Sequence, residues 1–246
     1  SRRTAEKCLT ALHETFPIRQ CSDRLPISPS RSACALAEMG RCLSPCDGSI
    51  SMDDYAEVVA TVRRNLLHRA DEVVEALTSR MDRLAEHERF EEAGVHRDRL
   101  SAFVRAASRT QRLGALSSCA ELVAARKEDD RRWAVHVVRS GRLAASGVIP
   151  VDAHAGTWVT ELRETAETVS GGPGPTPAAS AEESEQILRW LEQPGVRLVH
   201  VEGEWTCPVR GATRHLGIHD AVEASRVSLV PFDERRALAT VHQPSR

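Results

Sequence analysis

Residues 21–46 read CSDRLPISPSRSACALAEMGRCLSPC, and four of the chain's seven cysteines fall inside this stretch, as Cys21, Cys34, Cys42 and Cys46. Their spacing is C-x12-C-x7-C-x3-C, with Pro26, Pro29, Gly40 and Pro45 between the thiols. The stretch has few large apolar side chains, so it can bury little surface to offset the conformational entropy of ordering its backbone. Something other than a hydrophobic core must hold it, and four thiolates converging on a metal centre would do so. Crowding of the thiols into one short segment also argues against a secreted disulfide framework and for metal binding in a reducing compartment. A cytoplasmic location is the expectation.

The rest of the composition sets bounds. A chain of 246 residues has room for one large domain or two to three small ones. Hydrophobic residues make up 41% but aromatics only 4%, which predicts modest Ala/Val/Leu cores. The formal net charge of −2 excludes a uniformly basic nucleic-acid binder, so any such role needs a local patch. Basic pairs such as Arg63-Arg64, Arg131-Arg132 and Arg235-Arg236 are offset by nearby acids, and weak, salt-sensitive DNA binding is the most they predict. No apolar run of about 18 residues exists to span a membrane. The chain starts at Ser1 with residues that already look helical, which reads as a fragment continuing from upstream sequence.

Outward from the cysteines, residues 3–16 place Cys8, Leu9, Leu12 and Phe16 at helical spacing, and Pro17 ends the helix. Downstream, Ser51 and Asp54 form a capping box for a helix carrying Tyr55, Val58, Val59, Val62 and Leu66 on one face. A run from Asp71 follows, with Val73, Val74, Leu77, Met81 and Leu84 on one face. After the polar break 86–89 comes a third run with Phe90, Ala93, Leu100, Phe103 and Val104. Two antiparallel helices over 71–107 fit this pattern. A hairpin of that size cannot bury both faces on itself and needs a partner or the rest of the chain. If Phe90 is core, Phe90→Ala removes about 3–5 kcal/mol of packing.

From Ala120 the texture changes to strands at 121–125, 133–139 and 142–149, with Ser140-Gly141 as a hairpin turn. A helix marked by Trp158, Leu162, Ala166 and Val169 follows, then a Gly/Pro loop at 171–177. A helix capped by Ser180 and stopped by Pro194-Gly195 comes next. A strand at 197–201 and a return through Trp205, Thr206 and Cys207 close the readable part, and nothing is placed after Gly217. The expected class is α+β: a cysteine-rich metal-bound segment, a helical hairpin, then a small antiparallel sheet with helices. The boundaries are residues 1–16, 17–50, 51–112, 115–217 and an unassigned tail at 218–246. Residues 115–246 offer no nucleophile–base pair, glycine-rich phosphate loop or paired carboxylates. Asp152, Asp220 and Asp233 are scattered, so no catalytic residue is assigned in this chain.

Thiolates suit Zn²⁺ or an iron–sulfur cluster. Only Cys42 and Cys46 have the short spacing of a zinc knuckle. Wide, unequal spacing with prolines fits a loop wrapped around a cluster at least as well, and free or redox-active thiols are the third reading. Cys8, Cys119 and Cys207 are expected as core packing. His13, His68, His87 and His96 are expected on helix surfaces.

Residues 16–21 (FPIRQC), 34–48 (CALAEMGRCLSPCDG) and Tyr55 resemble UvrC, the incision subunit of the bacterial excinuclease. The resemblance implies that Cys21, Cys34, Cys42 and Cys46 hold a 4Fe-4S cluster, with zinc as the alternative, and that Arg19 and Arg41 neutralise cluster charge or meet DNA phosphate. Residues 77–100 (LTSRMDRLAEHERFEEAGVHRDRL) resemble the UVR motif at Leu77, Met81, Phe90, Glu91, Ala93, Arg97 and Asp98, with Gly94 in place of the usual second alanine. That motif implies a UvrB-like protein partner. In this family a GIY-YIG nuclease domain precedes the cysteine region, and residues 1–16 look like its tail. The RNase H-type nuclease of full-length UvrC has no counterpart after residue 110. The C-terminal half is more similar to actinobacterial proteins that fuse a DEDD-type exonuclease to a UvrC-like half. The function implied is the non-catalytic part of a UvrC-like repair nuclease, placing a nuclease domain on damaged DNA. The parent protein would be the endonuclease, with or without 3′–5′ exonuclease activity. The alternative is a zinc-stabilised protein-interaction module unrelated to repair.

Overall fold

A computed structural model describes residues 2–22, 24–25, 32, 34–129, 131–172 and 175–228, with backbone only over 225–228. Pro26, Pro29, Pro173, Gly174, Asp233 and the Arg235-Arg236 pair lie outside the described residues. The chain divides into two units, residues 1–108 with 212–246, and residues 109–211.

The first unit is helical. Its elements are α1 (Arg2–Thr15), the one-turn α2 (Ala35–Glu38), α3 (Met52–Leu67), α4 (Asp71–Glu86), the first two-thirds of α5 (Phe90–Ser117), a 3-10 turn (Ala212–His215) and α8 (Leu216–Ser228). The predicted cap is present: Ser51 Oγ accepts the Asp54 N–H at 3.1 Å and starts α3. Its core joins Cys8, Ala11, Leu12 and Phe16 of α1 to Val73 and Leu77 of α4 and Leu100, Phe103, Val104 and Ala107 of α5. The periodic apolar faces therefore meet as the spacing predicts, and the alanines bring the helices close. Two expected core residues are corrected. Leu9 is half exposed, because one position after Cys8 turns it about 100° off the buried stripe. Phe90 is 65% exposed, because it is the first residue of α5 and projects from the hairpin tip beyond the core. The segment after Gly217, unreadable from its pattern, forms α8. Leu216 and Ile218 pack on this core, and Ser101 Oγ meets His219 Nδ1 at 2.9 Å.

In the second unit β1 (Glu121–Lys127), β2 (Trp133–Arg139), β3 (Arg142–Ile149) and β4 (Val196–Glu202) form one antiparallel sheet of order β3-β2-β1-β4. Helices α6 (Ala155–Thr165) and α7 (Ala181–Leu191) complete it. Side chains alternate strictly along β1. Leu122 and Ala124 pack with Leu113, Leu116, Ile187 and Leu188, while Val123 and Ala125 pack with Val135, Val137 and Ala166. Both faces are thus covered, which is why β1 reads as a continuous apolar run. Gly147 on β3 is required, since a Cβ there would lie 2.7 Å from the Trp158 ring. The expected hairpin return at Trp205–Cys207 is not a strand. Glu202 pairs with Glu121 instead, so β4 finds its partner in β1. Helix α5 also runs to Ser117, ten residues past the predicted end of the hairpin.

A buried ion triad fastens this unit. Glu121 on β1, nearly enclosed, receives Arg163 Nε at 2.6 Å and Arg139 Nε at 2.9 Å. The Arg139 guanidinium also donates to the carbonyls of Arg163, Ala166 and Glu167 at the end of α6. Burial pushes the Glu121 carboxyl up, but hydrogen bonds from Arg139 and Arg163 and their charges more than offset this and hold it below its ordinary value of 4.5. A depressed folded value means the stabilisation is complete above about pH 4.5 and is lost as pH falls through the folded value. Glu121→Gln should cost about 2–3 kcal/mol at neutral pH, the low end for breaking a buried pair because Arg163 is a third exposed. It should also flatten the acid limb of the urea midpoint plotted against pH.

Candidate functional site

The cysteine segment hangs between the end of α1 and the start of α3. Phe16 seals the core below it, and Pro17 then turns the chain out. Two hydrogen bonds tether it: Leu43 N–H to the Pro17 carbonyl at 3.1 Å, and Arg19 N–H to the Tyr55 side-chain hydroxyl at 2.9 Å. Tyr55, the chain's single tyrosine, thereby anchors the first cysteine's approach from within α3. Cys34 starts α2, its carbonyl accepting from Ala37 N–H at 2.8 Å. Gly40, at φ +67°, lets the chain turn back sharply toward Cys42. Ser44 also takes a positive φ, +52°, and its hydroxyl donates to Asp47 at 2.7 Å.

Among the thiols, Cys42 is buried, Cys46 half-buried, and Cys21 and Cys34 exposed. Cys42 Sγ accepts the Ser44 N–H at 3.4 Å, Ser44 Oγ lies 3.8 Å from Cys46 Sγ, and the Arg19 guanidinium donates to Cys21 Sγ at 3.4 Å. Burial pushes the Cys42 thiol up; the Ser44 amide opposes this, and the charges of Cys34, Cys21 and Cys46 add to it. The four thiols thus differ in their surroundings. They do not converge to ligand distance, since no group of three or more His, Cys, Asp or Glu among the described residues is arranged to hold a metal ion. The donor set suits a thiolate-bound metal, and the N–H···S and Arg···S bonds are the outer contacts such a centre uses.

The other cysteines separate cleanly. Cys8 and Cys119 are buried, and burial raises the Cys8 thiol to about 11, as befits core residues. Cys207 is exposed, contrary to expectation, because the strand predicted to bury it does not form. His96 is also corrected. It is buried, with Nδ1 3.0 Å from Glu14 Oε2, while Arg99 Nη1 donates to Oε1 of the same carboxylate.

The motif-matching residues divide into two sets. Leu77 is core, Met81 packs against it, and Ala93 is half-buried on α5. Asp98 is held internally by Lys7 of α1 at 2.8 Å and lies 3.5 Å from Arg97. Phe90 and Glu91 stand outside, at the tip. Beside them Arg80, Arg83, Leu84, His87 and Arg89 line a shallow basic hollow of about 310 Å3. Arg80 and Arg99 were not singled out from the sequence. Nothing in their spacing announces that α4 and α5 bring them toward Arg41.

Two family models match the N-terminal part of the chain. Residues 1–65 match the family model for the UvrC/Cho excinuclease, middle domain, and residues 71–106 match the UvrB/uvrC motif. A Mycobacterium tuberculosis (strain CDC 1551 / Oshkosh) protein named as a bifunctional exonuclease/endonuclease is 32% identical over 218 residues, 86% of this chain and 34% of that one. UvrABC system protein C of Cronobacter sakazakii is 41% identical over 95 residues, 38% of this chain and 15% of its own length. That of Shigella boydii serotype 18 is 33% identical over 160 residues, 64% of this chain and 26% of its own. The chain thus spans about a third or less of the length of these relatives. No solved structure matches. The chain is UvrC-like across both of its N-terminal elements, and none of its described helices is long and apolar enough to cross a membrane.

Removing the Tyr55 hydroxyl tests the anchor. Tyr55→Phe should cost about 1 kcal/mol at the Arg19 amide. Native-state hydrogen exchange there should quicken several-fold, while the Leu77 amide in the core stays unchanged.

Proposed function

We propose that this UvrC-like chain is a non-catalytic part of a DNA-repair nuclease: a metal-held junction followed by a docking hairpin for a UvrB-like partner. The observation that carries the reading is Phe90. A folded hairpin with a full core leaves this motif phenylalanine 65% exposed, next to an exposed Glu91 and the basic hollow of Arg80, Arg83 and Arg89. An exposed aromatic residue that follows Arg89 directly in sequence has the composition of a binding hot spot, where aromatics and arginine are enriched. Core residues of the same motif, Leu77 above all, keep the helices paired so that the tip is presented rigidly.

Cys21, Cys34, Cys42 and Cys46 would hold a 4Fe-4S cluster, with zinc as the alternative. The cluster's contribution here is structural: it fastens a segment too poor in apolar residues to order itself. Arg19, two residues before Cys21, and Arg41, directly before Cys42, would offset cluster charge or meet DNA phosphate. The reaction itself, phosphodiester hydrolysis, belongs to a nuclease domain that the junction positions, and the relatives' names are consistent with that division of labour.

The test is affinity for a purified UvrB-like protein. Phe90→Ala should weaken capture at least tenfold, about 1.4 kcal/mol. It should leave the stability of the isolated chain within about 0.5 kcal/mol, as for other surface substitutions. Equal affinity of the variant and the parent chain would contradict the reading.

A further inference from the structure

A cavity of about 450 Å3 opens between the end of α1, the chain at Gly40-Arg41 and the paired helices α4 and α5. Its size falls in the range of small-ligand sites, roughly 300–1,000 Å3, which are usually lined mainly by apolar side chains. Here the wall is polar and basic: His13, Glu14, Gln20, Arg41, Arg80 and Arg99. Glu14 is the single carboxylate among the lining residues, and both of its oxygens are engaged, Oε1 by Arg99 and Oε2 by His96. Arg41 and Arg80 make no ion pair among the described residues. Burial lowers His13 below its ordinary 6.5, so it is neutral near pH 7 and available to donate or accept a hydrogen bond. Two arginines from different elements line one hollow whose single acid is already paired, a composition that suits an anion. Guanidinium groups pair best with planar or tetrahedral oxyanions that accept two hydrogen bonds at once.

We propose that this cavity is a phosphate-binding site in which Arg41 of the cysteine segment and Arg80 of the hairpin hold one phosphate group, with Gln20 and His13 as neutral partners. Occupation joins the two functional elements: a phosphate between Arg41 and Arg80 ties the segment after Cys34 to α4. The source of the phosphate is either a nucleic-acid backbone or a free phosphate. Only the first rests on the repair reading above.

The experiment uses the whole chain under reducing conditions. Inorganic phosphate is titrated by NMR chemical shift or calorimetry, and a short fluorescent single-stranded oligonucleotide by anisotropy. Arg41→Gln/Arg80→Gln is compared with Arg63→Gln, an exposed α3 arginine away from the cavity, and melting curves check that each variant is folded. The single Arg80→Gln variant serves if the double variant is not. The double variant should bind phosphate at least tenfold more weakly, and Arg63→Gln should change it less than twofold. Phosphate and oligonucleotide both weakened in parallel identify a backbone site. Phosphate alone weakened, with no oligonucleotide binding, identifies a free-phosphate site and leaves the partner-binding test of Phe90 untouched. Absence of phosphate binding, or equal loss in Arg63→Gln, overturns the proposal.

Discussion

The docking of α1 onto α5 is the constraint from which the rest of the first unit follows. Lys7 reaches Asp98 at 2.8 Å, and about two turns further along α1, Glu14 receives His96 and Arg99. Between these polar clasps Cys8, Ala11 and Leu12 share one core with Val73 and Leu77 of α4 and Leu100, Phe103 and Val104 of α5. Charged pairs of this kind add little net energy where they are partly exposed, but they set register. Here they decide at which height α1 ends, and therefore where Pro17 releases the chain into the cysteine segment.

Two consequences meet at the same place. The segment leaves α1 beside the face of α4 and α5 that carries Arg80 and Arg99, so the approach to the thiols is also the wall of a basic hollow. At the far end of the hairpin nothing covers Phe90, because α1 stops short of the tip among the described residues. The unit thus keeps its core near α1 and leaves charge and one aromatic ring exposed.

Much of this was legible in the sequence because it is periodic. The faces of α1, α4 and α5, the Ser51 and Ser180 caps, and the strands at 133–139 and 142–149 follow from apolar spacing and turn chemistry alone. What escaped was everything decided at long range. His96 looked like a surface histidine until Glu14, 82 residues earlier, came within reach. Phe90 looked like core because its spacing continues the stripe, yet the stripe runs off the end of the packed region. The strand at Val196–Glu202 was readable, but its pairing with β1 was not, since the competing local hairpin through Trp205 has equally good turn residues. At the candidate site, thiol spacing signalled a metal, whereas the anchoring by Tyr55 and the meeting of Arg41 and Arg80 at one cavity depend on tertiary neighbours that no local pattern encodes.

A metal-held junction requires Cys21, Cys34, Cys42 and Cys46 to assemble around a metal. The direct measurement is the visible absorption and the iron, sulfide and zinc content of the chain purified without oxygen. An iron–sulfur junction predicts a coloured protein with iron and sulfide in equal amounts, bleached and metal-free on Cys42→Ser but unchanged on Cys207→Ser. A colourless chain would contradict the cluster, stoichiometric zinc would replace it with the zinc junction, and a metal-free, fully folded chain would contradict a metal-held junction altogether.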